Sequence, residues 1–250
     1  MKRILVPILG LVFTISLFTA CSSDDNSVTP VSKYSISGKV MDGNGNGVSN
    51  VSINLSGVVT QSVVSGTDGT YKFENLEKGD YLLSASSDVY DFIHDSLSVT
   101  KLASDISGKD FSAIGIYGTW VSEGANVALL LAGAPFNVSK ITATFNTNGS
   151  YTVVQVDTSG ASIDLTGTFT MQKSSVASIY NIVLDQATPS VLTATGIFQI
   201  DGSAAPFTMQ YEVVQTTPAI GVTPPTAADG FGSTGGGAFG TLNIQKYVRQ

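Results

Sequence analysis

The sequence predicts an all-β chain, a small β-sandwich followed by an antiparallel up-and-down β-barrel, on three observations. Apolar and polar residues alternate with period two in run after run, the pattern of strands that bury one face. The 26 glycines among 250 residues cluster with Asn, Asp and Ser between those runs, where tight turns need positive φ. From about residue 115 onward the alternating runs lengthen, which marks a second domain.

The chain begins with a targeting segment, residues 1 to 20. Lys2 and Arg3 precede an apolar run from Ile4 to Phe18, too short for a permanent transmembrane helix. Leu17-Phe18-Thr19-Ala20-Cys21 resembles the lipobox of bacterial lipoproteins, in which cleavage before the Cys is followed by its lipidation. Phe18 stands where Leu is usual. The resemblance implies that Cys21, the one cysteine of the chain, anchors the protein to the bacterial outer membrane; several acyl chains together give stable anchoring. The alternative is an ordinary secretory signal. Residues 21 to 32 follow as a polar tether, and Ser22-Ser23-Asp24-Asp25-Asn26-Ser27 resembles the surface-export signal of Bacteroidetes lipoproteins. A solvated linker facing the periplasm is the competing reading. Cleavage removes Lys2 and Arg3, so 10 basic residues then face 19 acidic ones, a net charge of −9.

Residues 33 to 114 form the predicted sandwich. Ser35 to Met41 alternates cleanly and runs into the turn Asp42-Gly43-Asn44-Gly45-Asn46-Gly47. Val51 to Leu55 alternates again, Thr67-Asp68-Gly69-Thr70 makes a second turn, and Tyr71 to Phe73 leads to Tyr81 to Ala85. Further strands are expected over Asp95 to Leu102 and Ile106 to Ser112. Gly38-x-Val40-x-Asp42, Gly47-Val48, Val51-x-Ile53, Thr67-Asp68-Gly69-x-Tyr71-x-Phe73, Leu76 and Gly79-x-Tyr81 together resemble the carboxypeptidase regulatory-like family. That resemblance implies an immunoglobulin-like, transthyretin-like sandwich, grouped with starch-binding-like domains, that acts as an accessory module and brings no catalytic residues.

Two features of this domain touch on chemistry. Asp42-x-Asn44-x-Asn46-Gly47 satisfies the first half of an EF-hand loop, but its twelfth position is Ile53 in place of the bidentate Glu. A turn is the expected reading. His94, the only histidine, lies between Ile93 and Asp95, and no Gly-x-Ser-x-Gly elbow offers it a nucleophile.

Residues 115 to 250 form the predicted barrel. Strands are expected over Tyr117 to Ser122, Val127 to Leu131, Ser139 to Asn146, Tyr151 to Val156, Ile163 to Gln172, Ser178 to Asp185, Val191 to Ile200, Pro206 to Gln215 and Gly240 to Val248, about nine in all. Short connections such as Asn146-Thr147-Asn148-Gly149 suit a meander, and closure removes its exposed edges. Gly118-Thr119-Trp120 resembles the Gly-x-Trp start of lipocalins and other calycins. In that lipocalin-like reading Trp120 closes one end, with Lys246 or Arg249 packed over it by a cation-π contact. The interior is then either an open pocket or filled by its own side chains. The Pro- and Gly-rich loop 216 to 239 is long for a compact domain, and Phe231 and Phe239 make it a candidate gate over the barrel mouth. Gly235-x-Gly237-x-x-Gly240 lacks the strand-turn-helix context of a dinucleotide site.

These elements predict a non-catalytic binding module for a glycan or a small amphipathic ligand, with a structural or adhesion subunit presenting loops to a protein partner as the alternative. Net charge −7 argues against nucleic acid as a partner, since phosphate contacts need clustered Lys and Arg. One Cys and one His allow neither an internal disulfide nor a His-rich metal centre, so no metal and no cofactor are expected. Tyr71, Phe73, Tyr81, Tyr90 and Phe92 are the aromatics available for sugar stacking, though their alternation favours the core. Glu123, Asp157, Asp164, Asp185, Asp201 and Glu212 are the carboxylates a glycosidase would need, and no spacing singles out a pair.

Overall fold

The computed structural model describes residues 32–176 and 178–250, so Cys21 and the segment before Ser32 lie outside the described residues. Two four-stranded sheets come first. One has the order β4-β1-β8-β6, built from β1 (Tyr34–Met41), β4 (Thr70–Leu76), β6 (Asp91–Phe92) and β8 (Phe111–Ile114). The other has the order β3-β2-β5-β7, from β2 (Ser52–Gly57), β3 (Gln61–Val64), β5 (Gly79–Ser86) and β7 (Ser96–Leu102). Alternation explains the packing: Ile36, Val40, Ile53, Leu55, Phe73, Leu83 and Phe111 point between the sheets and are essentially fully buried. Pairing is antiparallel except β1 with β8, which run parallel. The expected strand Ile106 to Ser112 is interrupted: Ile106 makes an isolated bridge to Ile36, the Lys109 N–H donates to the Ser37 carbonyl and Asp110 Oδ1 accepts the Lys39 N–H, but ladder pairing with β1 resumes only at Phe111.

The Asp42 to Gly47 segment is a turn stabilised by its own carboxylate. Asp42 Oδ1 accepts the backbone N–H groups of Asn44 (2.8 Å) and Asn46 (2.9 Å). Gly47 is required by close approach, since a Cβ there would collide with the backbone carbonyl of Asp68.

The second domain is a closed barrel of eight strands in the order β10-β11-β12-β13-β14-β15-β16-β9. They are β9 (Gly118–Glu123), β10 (Val138–Phe145), β11 (Ser150–Asp157), β12 (Ser162–Lys173), β13 (Ile179–Thr188), β14 (Leu192–Asp201), β15 (Thr208–Thr217) and β16 (Gln245–Arg249). Two of the nine expected strands need correction. Val127 to Leu131 is not a strand: Gly124–Asn126 is a 3-10 turn and Leu129–Ala132 a single helical turn, α1. Ala128-Leu129-Leu130-Leu131-Ala132 has no period-two alternation and no β-branched residue, and Leu and Ala favour helix. Gly240 to Val248 divides into a 3-10 turn over Gly240–Asn243 and the short β16.

Ile141, Ala143 and Phe145 on β10 and Phe169 on β12 are buried in the barrel, while Lys140, Thr142, Thr144, Asp164, Thr166, Thr168 and Thr170 lie on the outer face. This polar-out alternation is the reverse of a membrane-spanning barrel, so the wall meets water. No helix among the described residues is long and apolar enough to cross a membrane.

Sandwich and barrel belong to one unit, Ser32–Gln250. Lys173 Nζ of β12 is 2.8 Å from Asp91 Oδ1 and donates to the Tyr90 carbonyl at 2.6 Å. The Tyr90 ring packs on Tyr117 with centroids 5.7 Å apart.

Candidate functional site

The barrel end next to the sandwich is packed solid. Trp120 is fully buried, and its indole N–H donates to the Ile116 carbonyl at 2.6 Å. The Arg249 guanidinium lies over the Trp120 ring, its Cζ 5.5 Å from the centroid, and Nη1 donates to the Gly115 carbonyl at 3.2 Å. Arg249 Nε and Nη2 have no hydrogen-bond partner among the described residues. Burial depresses this guanidinium below its ordinary range, and the Asp42 carboxylate works in the opposite direction. Lys246, the other basic residue expected over Trp120, is three positions away on the opposite face of β16 and exposed. Strand parity separates the two: residues 245, 247 and 249 point inward and Lys246 points to water.

The far half of the barrel is open. A cavity of about 420 Å³ is lined on β10 by Ile141, Ala143 and Phe145, and on β11 by Tyr151, Val153 and Gln155. Leu165, Leu184, Leu192, Ala194 and Val213 extend the apolar wall. The volume falls in the range of small-molecule sites. The strands impose tiers: Tyr151 and Tyr211 lie towards the sandwich, Val153 and Val213 in the middle, Gln155 and Gln215 at the mouth. No Asp, Glu, Lys, Arg or His lines the cavity.

Residues 124 to 137 cover part of the mouth and contribute Ala128, Leu131 and Phe136 to the lining. Gln245, buried at 4% exposure, ties this cap down. Its Oε1 accepts the Ala128 N–H at 2.9 Å, and its Nε2 donates to the Asn126 carbonyl (3.2 Å) and to Ser122 Oγ. Gln245→Leu keeps the volume but leaves the Ala128 N–H without its acceptor. The expected cost is about 1–3 kcal/mol, with hydrogen exchange accelerating at residues 124 to 132 and unchanged in the sandwich.

Phe231 and Phe239 do not line the cavity. The loop that carries them folds along the outside of the barrel, and a buried carboxylate holds it there. Tyr211 and Val213 point inward, so Glu212 between them faces outward, yet it is fully buried. Its Oε2 accepts the Gly232 N–H at 2.6 Å; its Oε1 accepts the Thr234 N–H at 3.1 Å and the Thr234 hydroxyl at 2.6 Å. Ile197, opposite Glu212 in register, is also fully buried on this outer face. The gate expected from the sequence is therefore a strap on the wall. It meets the site at both ends: the Pro218 carbonyl accepts from the mouth residue Gln215 at 2.8 Å, and Asn243 Nδ2 donates to the Val213 carbonyl and to Thr234 Oγ1, both at 3.1 Å.

Tyr151, Tyr211 and Tyr247 form the tyrosine tier of the cavity, exposed by 3%, 8% and 5%. Burial raises all three phenols, Tyr151 to about 12 with help from Asp185, and Tyr211 further through its neighbours Tyr247 and Tyr151. Unfolded tyrosines ionise near pH 10, about where the chain loses protons that the folded state still holds. Stability should therefore be flat up to about pH 10 and fall between 10 and 12. Phenolate absorbance during an alkaline titration should lag behind that of the denatured chain until the fold is lost. Simultaneous release in both would refute these shifts.

Elsewhere, His94 is exposed beside Asp91, Asp95 and Lys173 in a shallow surface depression. No cluster suited to a metal ion occurs among the described residues. Tyr71, Phe73 and Tyr81 are buried in the sandwich core, and Tyr90 and Phe92 pack against it, so these rings form no sugar platform.

Residues 35–102 match the carboxypeptidase regulatory-like domain. The protein thus combines an immunoglobulin-like regulatory-like sandwich with an eight-stranded antiparallel barrel. No curated protein matches the chain. Among solved structures it is similar to the Bacillus anthracis TIE protein, at 14% identity and a TM-score of 0.32, over 66% of this chain and 31% of that one. A streptococcal ancillary pilin aligns at 12% identity and a TM-score of 0.32, over 65% and 58% of the two chains. A DUF3823 family protein from Parabacteroides merdae aligns at 12% identity and a TM-score of 0.31, over 65% and 96%. The chain spans about a third of the first of these proteins and under two thirds of the second.

Proposed function

We propose that this chain is a non-catalytic lipoprotein of the bacterial outer membrane, anchored through Cys21 and exposed at the cell surface, whose barrel binds a small amphipathic molecule. The observation that carries the binding reading is the cavity of about 420 Å³ with an apolar wall inside a barrel whose outer face is polar. A barrel that served only as a scaffold gains stability by filling that space, because unfilled apolar volume costs dispersion contacts. In this reading Trp120 and Arg249 close the sandwich end, and the cap over residues 124 to 137 lies where the ligand enters. The sandwich acts as a spacer between anchor and barrel. A glycan fits the site less well, since sugars need hydrogen bonds that the middle tier of Val153, Leu184, Ala194 and Val213 does not offer.

Native and denaturing mass spectra of residues 22 to 250, made in a bacterial host without the anchor, test the reading. The expected result is an extra mass lost on denaturation and absent from Ala194→Phe, which fills the cavity from its wall. An extra mass that persists in Ala194→Phe would place the ligand elsewhere.

A further inference from the structure

The cavity's chemistry is uneven along its length, and the unevenness points to a class of ligand. Its wall is aliphatic, its mouth carries the amides of Gln155, Gln186 and Gln215, and its floor carries three tyrosines. At the mouth, the Gln186 and Gln215 side chains donate to the carbonyls of Ser190 (2.9 Å) and Pro218 (2.8 Å), so both are already engaged. The floor is different. None of the hydroxyls of Tyr151, Tyr211 and Tyr247 hydrogen-bonds another group among the described residues, unlike Tyr71 and Tyr81, which donate to the carbonyls of Lys109 and Glu77. Nor are they sealed away: the enclosed side-chain atoms lacking a partner are the Tyr180 hydroxyl and two Arg249 nitrogens. All three residues line the cavity.

We propose, on the reading of the cavity as a binding site, that the ligand is an uncharged amphiphile that enters polar group first, its oxygen accepting hydrogen bonds from the hydroxyls of Tyr211 and Tyr247, whose rings lie 5.9 Å apart, with Tyr151 beside them on the floor. Buried polar hydroxyls are normally satisfied, and the two lone pairs of one ligand oxygen match the two hydroxyls of this pair. A carboxylate or ammonium is excluded from the floor because no opposite charge lines the cavity and an unpaired buried charge is costly. Four residues of strand separate Tyr151 from Gln155, about 13 Å along the strand and less along a tilted barrel axis, which suits a chain of medium length.

The test is calorimetric titration of the anchor-free protein with 1-octanol, 2-octanone and octanoate at neutral pH, repeated on Tyr211→Phe, Tyr247→Phe and the double variant. Octanol and octanone should bind at least about tenfold tighter than octanoate, and each Tyr→Phe change should remove up to about tenfold from the first two while leaving octanoate unchanged. Each variant keeps its ring and loses a hydroxyl with no protein partner, so its melting temperature should stay close to that of the parent. If octanoate binds as tightly as octanol and the variants change nothing, the cavity binds chains tail first and the proposal is overturned while the binding reading stands. If none of the three binds to the parent protein, the binding reading itself fails and the proposal with it.

Discussion

Trp120→Ala should be the most destabilising single change in the barrel, costing about 3–5 kcal/mol. Trp120 is fully buried at the sandwich end, and three losses coincide there besides its hydrogen bond to the Ile116 carbonyl. The ring's apolar area goes, a cavity opens in a region too well packed to collapse, and Arg249 loses the π face beneath its guanidinium. The third loss separates this site from an ordinary core position. Arg249 has two nitrogens without partners, so the ring joins the Gly115 carbonyl and the Asp42 carboxylate in compensating the burial of its charge. Trp120→Phe retains a face and should cost clearly less than Trp120→Ala, although it loses the hydrogen bond to Ile116. The double change Trp120→Ala with Arg249→Leu should recover part of the cost, because no charge is then left buried. A chemical-denaturation cycle over the four proteins measures that coupling. Strict additivity would mean that the stacking of Arg249 on Trp120 contributes nothing.

Glu212→Ala should be the second largest, at about 3 kcal/mol, and its effect should be local. One carboxylate satisfies three donors of the strap, the N–H groups of Gly232 and Thr234 and the Thr234 hydroxyl. Removing it strands those donors against a wall that includes the buried Ile197. The strap should detach before the barrel opens, so limited proteolysis should cut within residues 218 to 240 while the remainder stays resistant. Glu212→Gln retains one acceptor oxygen and should lie between the parent and Ala. Because the strap meets the cavity only through Asn243 and the Gln215 contact to Pro218, octanol affinity should fall only as far as those two residues shift. A large loss of binding with no new cleavage would restore the strap as a gate.

What was legible in the sequence follows from what alternation reports. Long strands with one face in a core, such as Tyr34–Met41 and Ile179–Thr188, carry the period-two signal because burial dictates it. The edge strand β3, Gln61–Val64, was not anticipated, since half-buried positions at a sheet edge leave a weak alternation. The helical turn at Leu129–Ala132 was misread for a related reason: an apolar run without a period does not separate strand from helix. At the site, Trp120 and Arg249 were nominated by residue type, and strand parity would have set Lys246 aside. Gln245 carried no signal, because a polar residue at an inward position stands out only once its partners on the cap are known. Glu212 did carry one: a carboxylate on an outward strand position followed by a Gly-rich segment, whose bare N–H groups are natural donors. Spacing alone does not separate it from the other five carboxylates that a glycosidase would need. The cavity itself was out of reach, since alternation reports which side chains point inward and not whether they meet.

Occupation of the far half of the barrel by a small uncharged amphiphile can be followed atom by atom. Methyl-resolved NMR of the anchor-free protein during addition of 1-octanol tests it most directly. Saturable shifts are expected in the methyls of Val153, Leu165, Leu184 and Val213, with the sandwich methyls of Ile53, Leu55 and Leu83 unmoved. Shifts confined to exposed residues such as Val64 and Val191, or no shift at any concentration that keeps octanol soluble, would contradict it.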